Sequence, residues 1–446
     1  MRRLRAVVVG LAVVPLWVNA AELTRVASSF DEGHPFGLFI DLGFDRTQRL
    51  ESITRDKHVA QPDPPNEIRL QAEPELRYAG IDYRLNLDVH AGLWHDVEFH
   101  FGIPLIFLQT EEWWLSSRTT EAQSAVLNSC VRADGSLVNP NCPTTGVGAV
   151  PIYPTTSTSP LTPKISTTTG APQVFRGGFG NMRFGMSWAA FNQLRDDTKP
   201  MWLVGIEYEA PTADPLDPTK PTTNGAHGAI GDRIHKYQLW SALSRRIGSA
   251  DPYVKVNVTL PYHGPGWYSN CDHPDPTLMG TPANCNLTEW TRDTTGILYP
   301  YNAEIVAGSE FIVFDQPAKH QKFTLDARAH ARYVSPGRYY NELSGLTQKL
   351  MYSGDYLQVG GSIALLAGVA NYLTLRARGV LSYETDHVLS NEPLGRDLNS
   401  NDVIDYQTNP AEVNPNFDYR YDLVARQFRA TATWVFSVQV SASFNF

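Results

Sequence analysis

The chain has 446 residues and a formal charge of −9, a length that suits two or three soluble domains or one large closed β structure. Nowhere does it cluster positive charge as a nucleic-acid partner requires, so that class of function is excluded. Its hydropathy is modest, as expected of a wall that is apolar on one face only.

At the start, Arg2, Arg3 and Arg5 precede an apolar run from Ala6 to Val18, and Val18, Asn19 and Ala20 form a context that a signal peptidase reads. Residues 1–20 are therefore read as a signal peptide, and 21–35 as a periplasmic N-terminal segment. A membrane-anchoring helix would need about 20 apolar residues, and Asn19 with Glu22 cut the run short. No cysteine follows the cleavage site to carry a lipid. Beyond it no apolar run approaches a membrane-spanning helix; the longest, "SIALLAGVANYL" from Ser362, is broken by Gly and Asn. The chain is then soluble, or it crosses a membrane as strands.

Strands are what the periodicity predicts. The segment 36–45 alternates, and in 81–91 Ile81, Tyr83, Leu85, Leu87, Val89 and Ala91 share one face while Asp82, Arg84, Asn86, Asp88 and His90 share the other. The turn "GLWHD" leads into 97–107, with Val97, Phe99, Phe101, Ile103, Leu105 and Phe107 opposite Glu98, His100 and Gly102, which makes a hairpin. The pattern recurs at 181–191, 202–210, 237–244, 253–262, 323–333, 356–367, 372–384 and 428–446, eleven clear strands in all; an even count then places a twelfth at 304–315, with 339–352 as the alternative. In "FTLDARAHARY" the polar face is Thr324, Asp326, Arg328, His330 and Arg332, a row natural beside water and unusual in a buried sheet. Strands of soluble sandwiches average about 5 to 6 residues. These run to about 9 or more, the length a tilted strand needs to span a bilayer.

The connections alternate in length. Short ones are "GLWHD", the stretch around "NQLRDDTKP", "RIGSADP", "QPAKHQ" and "GVAN"; long ones are 47–73, 110–178, 213–234, 264–303, 335–355 and 386–424. That order is required if every tight turn lies on one side of a membrane and every long loop on the other. The fold class read from this is an all-β, closed antiparallel transmembrane β-barrel of about 12 strands, with 10 or 14 also compatible. The loop 335–355 carries a short helix-like stretch, "NELSGLTQKLM", and 143–173 is rich in Ser, Thr and Pro. The four cysteines fall in two close pairs, Cys130 with Cys142 and Cys271 with Cys285. In an exported chain they read as two local disulfides; their spacing is too wide for zinc knuckles.

The polar faces collect Arg84, His90, Glu98, His100, Arg183, Glu207, Glu209, Lys255, Asp326, Arg328, His330, Arg332, Arg376, Arg378 and Arg429 as candidate lumen-lining residues. Charges of both signs suit a water path for a small solute, and equally a salt-bridged plug in a filled barrel that binds something at its surface. On the outer face Trp188, Trp202, Tyr253, Tyr333, Tyr372 and Trp434 are candidates for the interfacial girdles. In "GRDLNSNDVID", Asp397, Asn399, Asn401 and Asp405 stand at the first, third, fifth and ninth positions of a calcium-loop spacing. Asp402 replaces its turn glycine and Thr408 its bidentate Glu, so a Ca²⁺ site is the only cofactor suggested and a weakly matched one. No G-x-S-x-G or H-E-x-x-H is present, and the chain is read as a non-enzyme, with an outer-membrane hydrolase as the remaining alternative.

The last strand, "FRATATWVFSVQVSASFNF", ends on an aromatic ring. With the signal peptide and the short and long connections, it resembles bacterial outer-membrane β-barrel proteins. In that family such a terminal strand is the signal read by the barrel assembly machinery, and Trp434, Phe436, Val438, Val440, Ala442, Phe444 and Phe446 match the pattern. The layout is also similar to channel and transporter barrels encoded with aromatic-compound degradation pathways. The resemblance implies a Gram-negative outer membrane, contact with its lipid and lipopolysaccharide, and passage of a small solute.

Overall fold

The computed structural model describes residues 21–30, 36–60, 68–129, 131, 152, 165–166, 172–273, 279–405 and 408–446. Barrel strands are β1 (Leu38–Ala60), β2 (Ile68–Trp94), β3 (Val97–Leu115), β4 in two pieces (Val174–Phe179 and Met182–Phe191), β5 (Met201–Ala210) and β6 (Ile234–Ser244). They continue with β7 (Ala250–His263), β8 (Asn302–Gln316), β9 (Gln321–Val334), β10 (Tyr356–Ala370), β11 (Leu373–Glu384) and β12 (Phe428–Asn445). Each pairs antiparallel with its sequence neighbours, and β12 also pairs with β1, which closes a barrel of 12 strands. The closing register runs from Phe39 opposite Asn445 to Arg55 opposite Phe428. At its end Phe446 N donates to Leu38 O at 2.9 Å, so the last residue seals the seam.

Period-2 alternation decides which face each residue takes. On β12, Trp434, Phe436, Val438 and Val440 are exposed to the outside, and the residues between them, Val435, Ser437, Gln439 and Ser441, turn inward. Leu357, Val359, Ile363 and Leu365 on β10 and Leu239 and Leu243 on β6 continue the outer apolar belt. Among the described residues no helix is long and apolar enough to cross a membrane. This belt is the surface a spanning barrel presents to lipid.

At the expected short-turn end the connections are tight, as between Trp94 and Val97 and between Ala370 and Leu373. At the other end β1 and β2 run to 23 and 27 residues, well past the roughly 9–11 that span a bilayer. Most of the predicted loop 47–73 is therefore strand, projecting beyond the membrane; 61–67 lie outside the described residues. Described residues of 110–178, 264–303, 335–355 and 386–424 pack together over this end. Trp113, fully buried, is packed with Ile53, Leu76, Tyr78, Leu343, Leu346, Met351, Tyr421 and Phe428, and its Nε1 donates to Glu342 O at 2.7 Å. The helix-like stretch does hold a helix, Ser344–Thr347. Cys271 and Cys285 form a disulfide beside Met279. Cys130 and Cys142 lie outside the described residues, as do 1–20.

An Arg on the lipid face near mid-membrane costs about 2–4 kcal/mol. Ala329→Arg or Val438→Arg should thus reduce the heat-modifiable, folded fraction on cold gel electrophoresis, whereas Gln439→Arg, one residue along and facing inward, should fold as the parent does. Equal folding of all three would reverse the facing assignment.

Candidate functional site in the barrel bore

The β2–β3 hairpin turns at His95, whose φ of 45° allows the tight reversal. Its register sets His90 opposite His100 and Gly92 opposite Glu98, so the two imidazoles and the carboxylate share the inner face. The Nδ1 of His90 lies 2.7 Å from Glu98 Oε1, and Nε2 of His100 lies 3.1 Å from Glu207 Oε2 on β5. Beside them Arg183 donates to Asp88 at 2.7 Å, and the Lys255 ammonium sits 4.7 Å from the Trp240 ring centre. Lys236 bridges Glu209 at 2.9 Å and Asp232 at 2.7 Å. Glycines make room on this wall: a Cβ at Gly185 would come within 2.1 Å of the His100 ring, and one at Gly102 within 2.3 Å of Asp88 Oδ1. Arg84 donates to Asp82 at 2.8 Å a little higher.

Across the bore the centre is Asp326, fully buried. It accepts from the Tyr253 hydroxyl and from Arg328 Nε at 2.6 Å, with Arg378 Nη2 at 3.5 Å. Tyr253 therefore faces inward and is not a girdle residue, because it pairs in register with inward-facing Ser244 and Gly308. His330 Nε2 lies 2.9 Å from Ser382 Oγ. Arg332 stands opposite Glu304, which accepts from Asn257 Nδ2 at 2.9 Å. Arg378 of β11 thus reaches Asp326 of β9, an attraction that offsets part of the desolvation cost of burying each charge.

The bore is also crossed by chain that is not part of the wall. Residues 21–29, predicted to lie in the periplasm, enter the tight-turn end. Glu22 pairs with Arg376 on β11, and its amide donates to Glu310 Oε1 on β8 at 2.8 Å. Thr24 Oγ1 is 2.7 Å from Ser244 Oγ on β6. Arg25 reaches Ser443 at 3.1 Å and Asp41 at 3.4 Å, Ala27 N donates to Glu98 Oε2 at 2.6 Å, and Ser29 N donates to His95 O at 3.0 Å. Contacts to β1, β3, β6, β8, β11 and β12 mean that the segment spans the opening. Its Ala21, Thr24, Ala27 and Ser29 are buried there.

At the loop end Arg49 of β1 pairs with Glu342 of the loop over the bore and with Glu384 of β11. Arg338 makes a two-pronged pair with Glu392, one arm at 2.6 Å. Asp418 accepts from Arg420 at 2.6 Å; burial acts against its charge, but the guanidinium holds the carboxyl below the usual range. Burial pushes the nearby Asp422 carboxyl up to about 8 despite Lys349 close by. This cap is a packed layer with its own polar network.

Of the residues expected in the bore, Arg429 is the exception. Ala432 has φ 50°, and the β1–β12 register shifts between Leu50 and Ser52, so the facing of β12 inverts beyond that bulge. Phe428 and Ala430 turn into the cap core, and Arg429 lies on the other face, its Nε donating to Asp56 at 2.9 Å. In the suggested calcium loop, Asp397 accepts the amides of Asn399 at 3.1 Å and Ser400 at 2.7 Å. Asp405 accepts Nδ2 of Asn401 at 2.8 Å. Sequence reasoning passed over Glu22, Asp88 as a partner of Arg183, Arg49 and Glu310; the last lies on the polar face of its strand and was within reach of the alternation.

No family model matches the chain, and no curated protein matches it. By structure it is similar to an outer membrane channel from Pseudomonas putida F1, at 8% identity over 92% of this chain and 96% of that one, with a TM-score of 0.42. It is also similar to a Pseudomonas aeruginosa FadL homologue at 8% identity, covering 92% and 90%, with a TM-score of 0.32. A TodX monoaromatic hydrocarbon channel mutant gives 10% identity, 92% and 90%, and 0.31. At such distances function is read from this chain's own bore.

Removing one partner of a buried ion pair costs about 3–5 kcal/mol. Asp326→Ala, which strands Arg328, Arg378 and the Tyr253 hydroxyl, should lower the unfolding free energy of the refolded barrel, read from urea titration, by that order, and Asp326→Asn by less. Trp113→Ala should cost about 3–5 kcal/mol of cap packing and expose the cap loops to trypsin while the barrel stays heat-modifiable.

Proposed function

We propose that the chain is an outer-membrane channel of a Gram-negative bacterium, both termini periplasmic, that passes a small solute through a charge-lined bore. Residues 21–29 close its periplasmic mouth. The observation that carries the reading is that crossing segment. Small barrels that conduct nothing are filled by the side chains of their own wall. Here a separate stretch of chain does the stopping, with polar ties to Glu310, Ser244, Arg376, Asp41 and Glu98 and with Val26 packed on Ala189, Met201 and Leu203. A removable stopper has a use only where there is a path to stop.

A second reading is a closed barrel whose function lies in its cap, a surface-binding role. The packed loops around Trp113 favour it. Hydrolysis has less support: His330 touches Ser382, but among the described residues no carboxylate bonds the other ring nitrogen to orient it.

Single-channel recording in planar bilayers tests this. The full refolded protein should open rarely, deletion of residues 21–30 should give steady steps, and Glu22→Ala should fall between them. With a salt gradient, the reversal potential reports which sign of bore charge dominates. Silence from both proteins, each verified as folded by heat-modifiable mobility, would transfer the function to the cap.

A further inference from the structure

We propose that His90, Glu98 and His100 form a site for one divalent transition-metal ion of the zinc class, inside the periplasmic mouth of the bore. One ligand atom from each of the three lies within 4.8 Å of the others. A tetrahedral shell with bonds of about 2.0–2.1 Å sets ligand atoms about 3.4 Å apart. Closing the triangle thus takes roughly an ångström of side-chain movement. Two imidazoles and a carboxylate are the donor set that zinc accepts with one position left open.

The backbone prepares the site. His90 and His100 are direct cross-strand partners, their rings 5.6 Å apart, and Glu98 precedes His100 by two residues on the same face. Glu98 and His100 are close to solvent-free, with side-chain exposures of 5% and 12%. The carboxylate is oriented by the Ala27 amide on Oε2 and more loosely by the Ser187 hydroxyl, 3.4 Å from Oε1, the oxygen 2.7 Å from His90 Nδ1 that would turn to an ion. Outer carboxylates surround the group: Glu207 at 3.1 Å from His100 Nε2 and Asp41 at 3.7 Å from His90 Nε2. Such second carboxylates orient metal-bound imidazoles and raise their basicity. The nearby cations are engaged elsewhere, Arg183 with Asp88 and Arg25 with Asp41, Ser443 and Asn445. An ion bound between them would replace the hydrogen bond between His90 Nδ1 and Glu98 Oε1. It would also join the wall to the crossing segment, through the carboxylate that holds Ala27. The proposal does not depend on whether the bore conducts.

The experiment is calorimetric titration of zinc chloride into the refolded, untagged barrel after treatment with a chelator. We expect about one equivalent bound, with no comparable binding of magnesium. Affinity should fall at least tenfold in His90→Ala, His100→Ala and Glu98→Gln, and by about 10–100-fold in Glu207→Gln if that carboxylate orients the site. His330→Ala, on the far wall, should bind as the parent does. Folding of every variant is checked by heat-modifiable mobility, so that lost binding is not lost structure. No uptake by the folded parent at tens of micromolar zinc, or undiminished uptake by a folded His90→Ala, His100→Ala double variant, would overturn the site.

Discussion

Every backbone amide that faces lipid must find its partner within the protein, because hydrocarbon offers none. In a sheet this can be met only by closure, so the pairing of β12 with β1 is the interaction on which the rest depends. It fixes the start of β1 and the end of β12 at the tight-turn side of the wall. It also fixes the facing of every residue below the cap, since a one-residue slip would turn Trp434, Phe436, Val438 and Val440 inward and put Gln439 and the adjacent serines into lipid.

Closure also creates the electrostatic problem of the interior. Two carboxylates or two guanidiniums in a narrow bore cannot afford to remain unpaired. The structure answers by crossing strands: Arg328 and Arg378 converge on Asp326, Arg183 meets Asp88, and Arg376 takes Glu22 from the crossing segment. The stopper is thus part of the charge balance of the wall. Losing it would leave Arg376 without its carboxylate, so an open bore would present a positive site near its periplasmic mouth.

How much of this was legible follows from what each feature is made of. The membrane strands were readable because lipid on one side and water on the other impose a strict two-residue period. Past the membrane that constraint ends, which is why "RTQRLESITRDKHVA" showed no two-faced pattern although β1 continues through it. Arg429 was misplaced for a related reason: alternation carries across a strand only until a bulge, and nothing in "FRATATW" marks Ala432 as the residue that takes positive φ. The crossing segment was invisible because its contacts, such as Glu22 with Glu310, join residues 288 positions apart. The hairpin pair His90 and His100 was named, but its company with Glu98 and Glu207 needed the register of β2, β3 and β5 together.

The two ends of the bore are covered in different ways, and that difference says which end is built to move. The cap buries Trp113, Tyr421 and Phe428 with a row of aliphatic side chains, carries the Cys271–Cys285 disulfide, and is tied to the wall through Arg49. Opening it would expose a large apolar area to water at about 25 cal/mol per Å². The crossing segment buries mostly small side chains, with Val26 packed on Ala189, Met201 and Leu203, and most of its other named ties to the wall are hydrogen bonds and ion pairs. Water can replace such ties at a net cost of only about 0.5–1.5 kcal/mol for each neutral hydrogen bond. A bore that opens without unfolding its cap must therefore open first at the periplasmic end, where Glu22 and Arg25 let go.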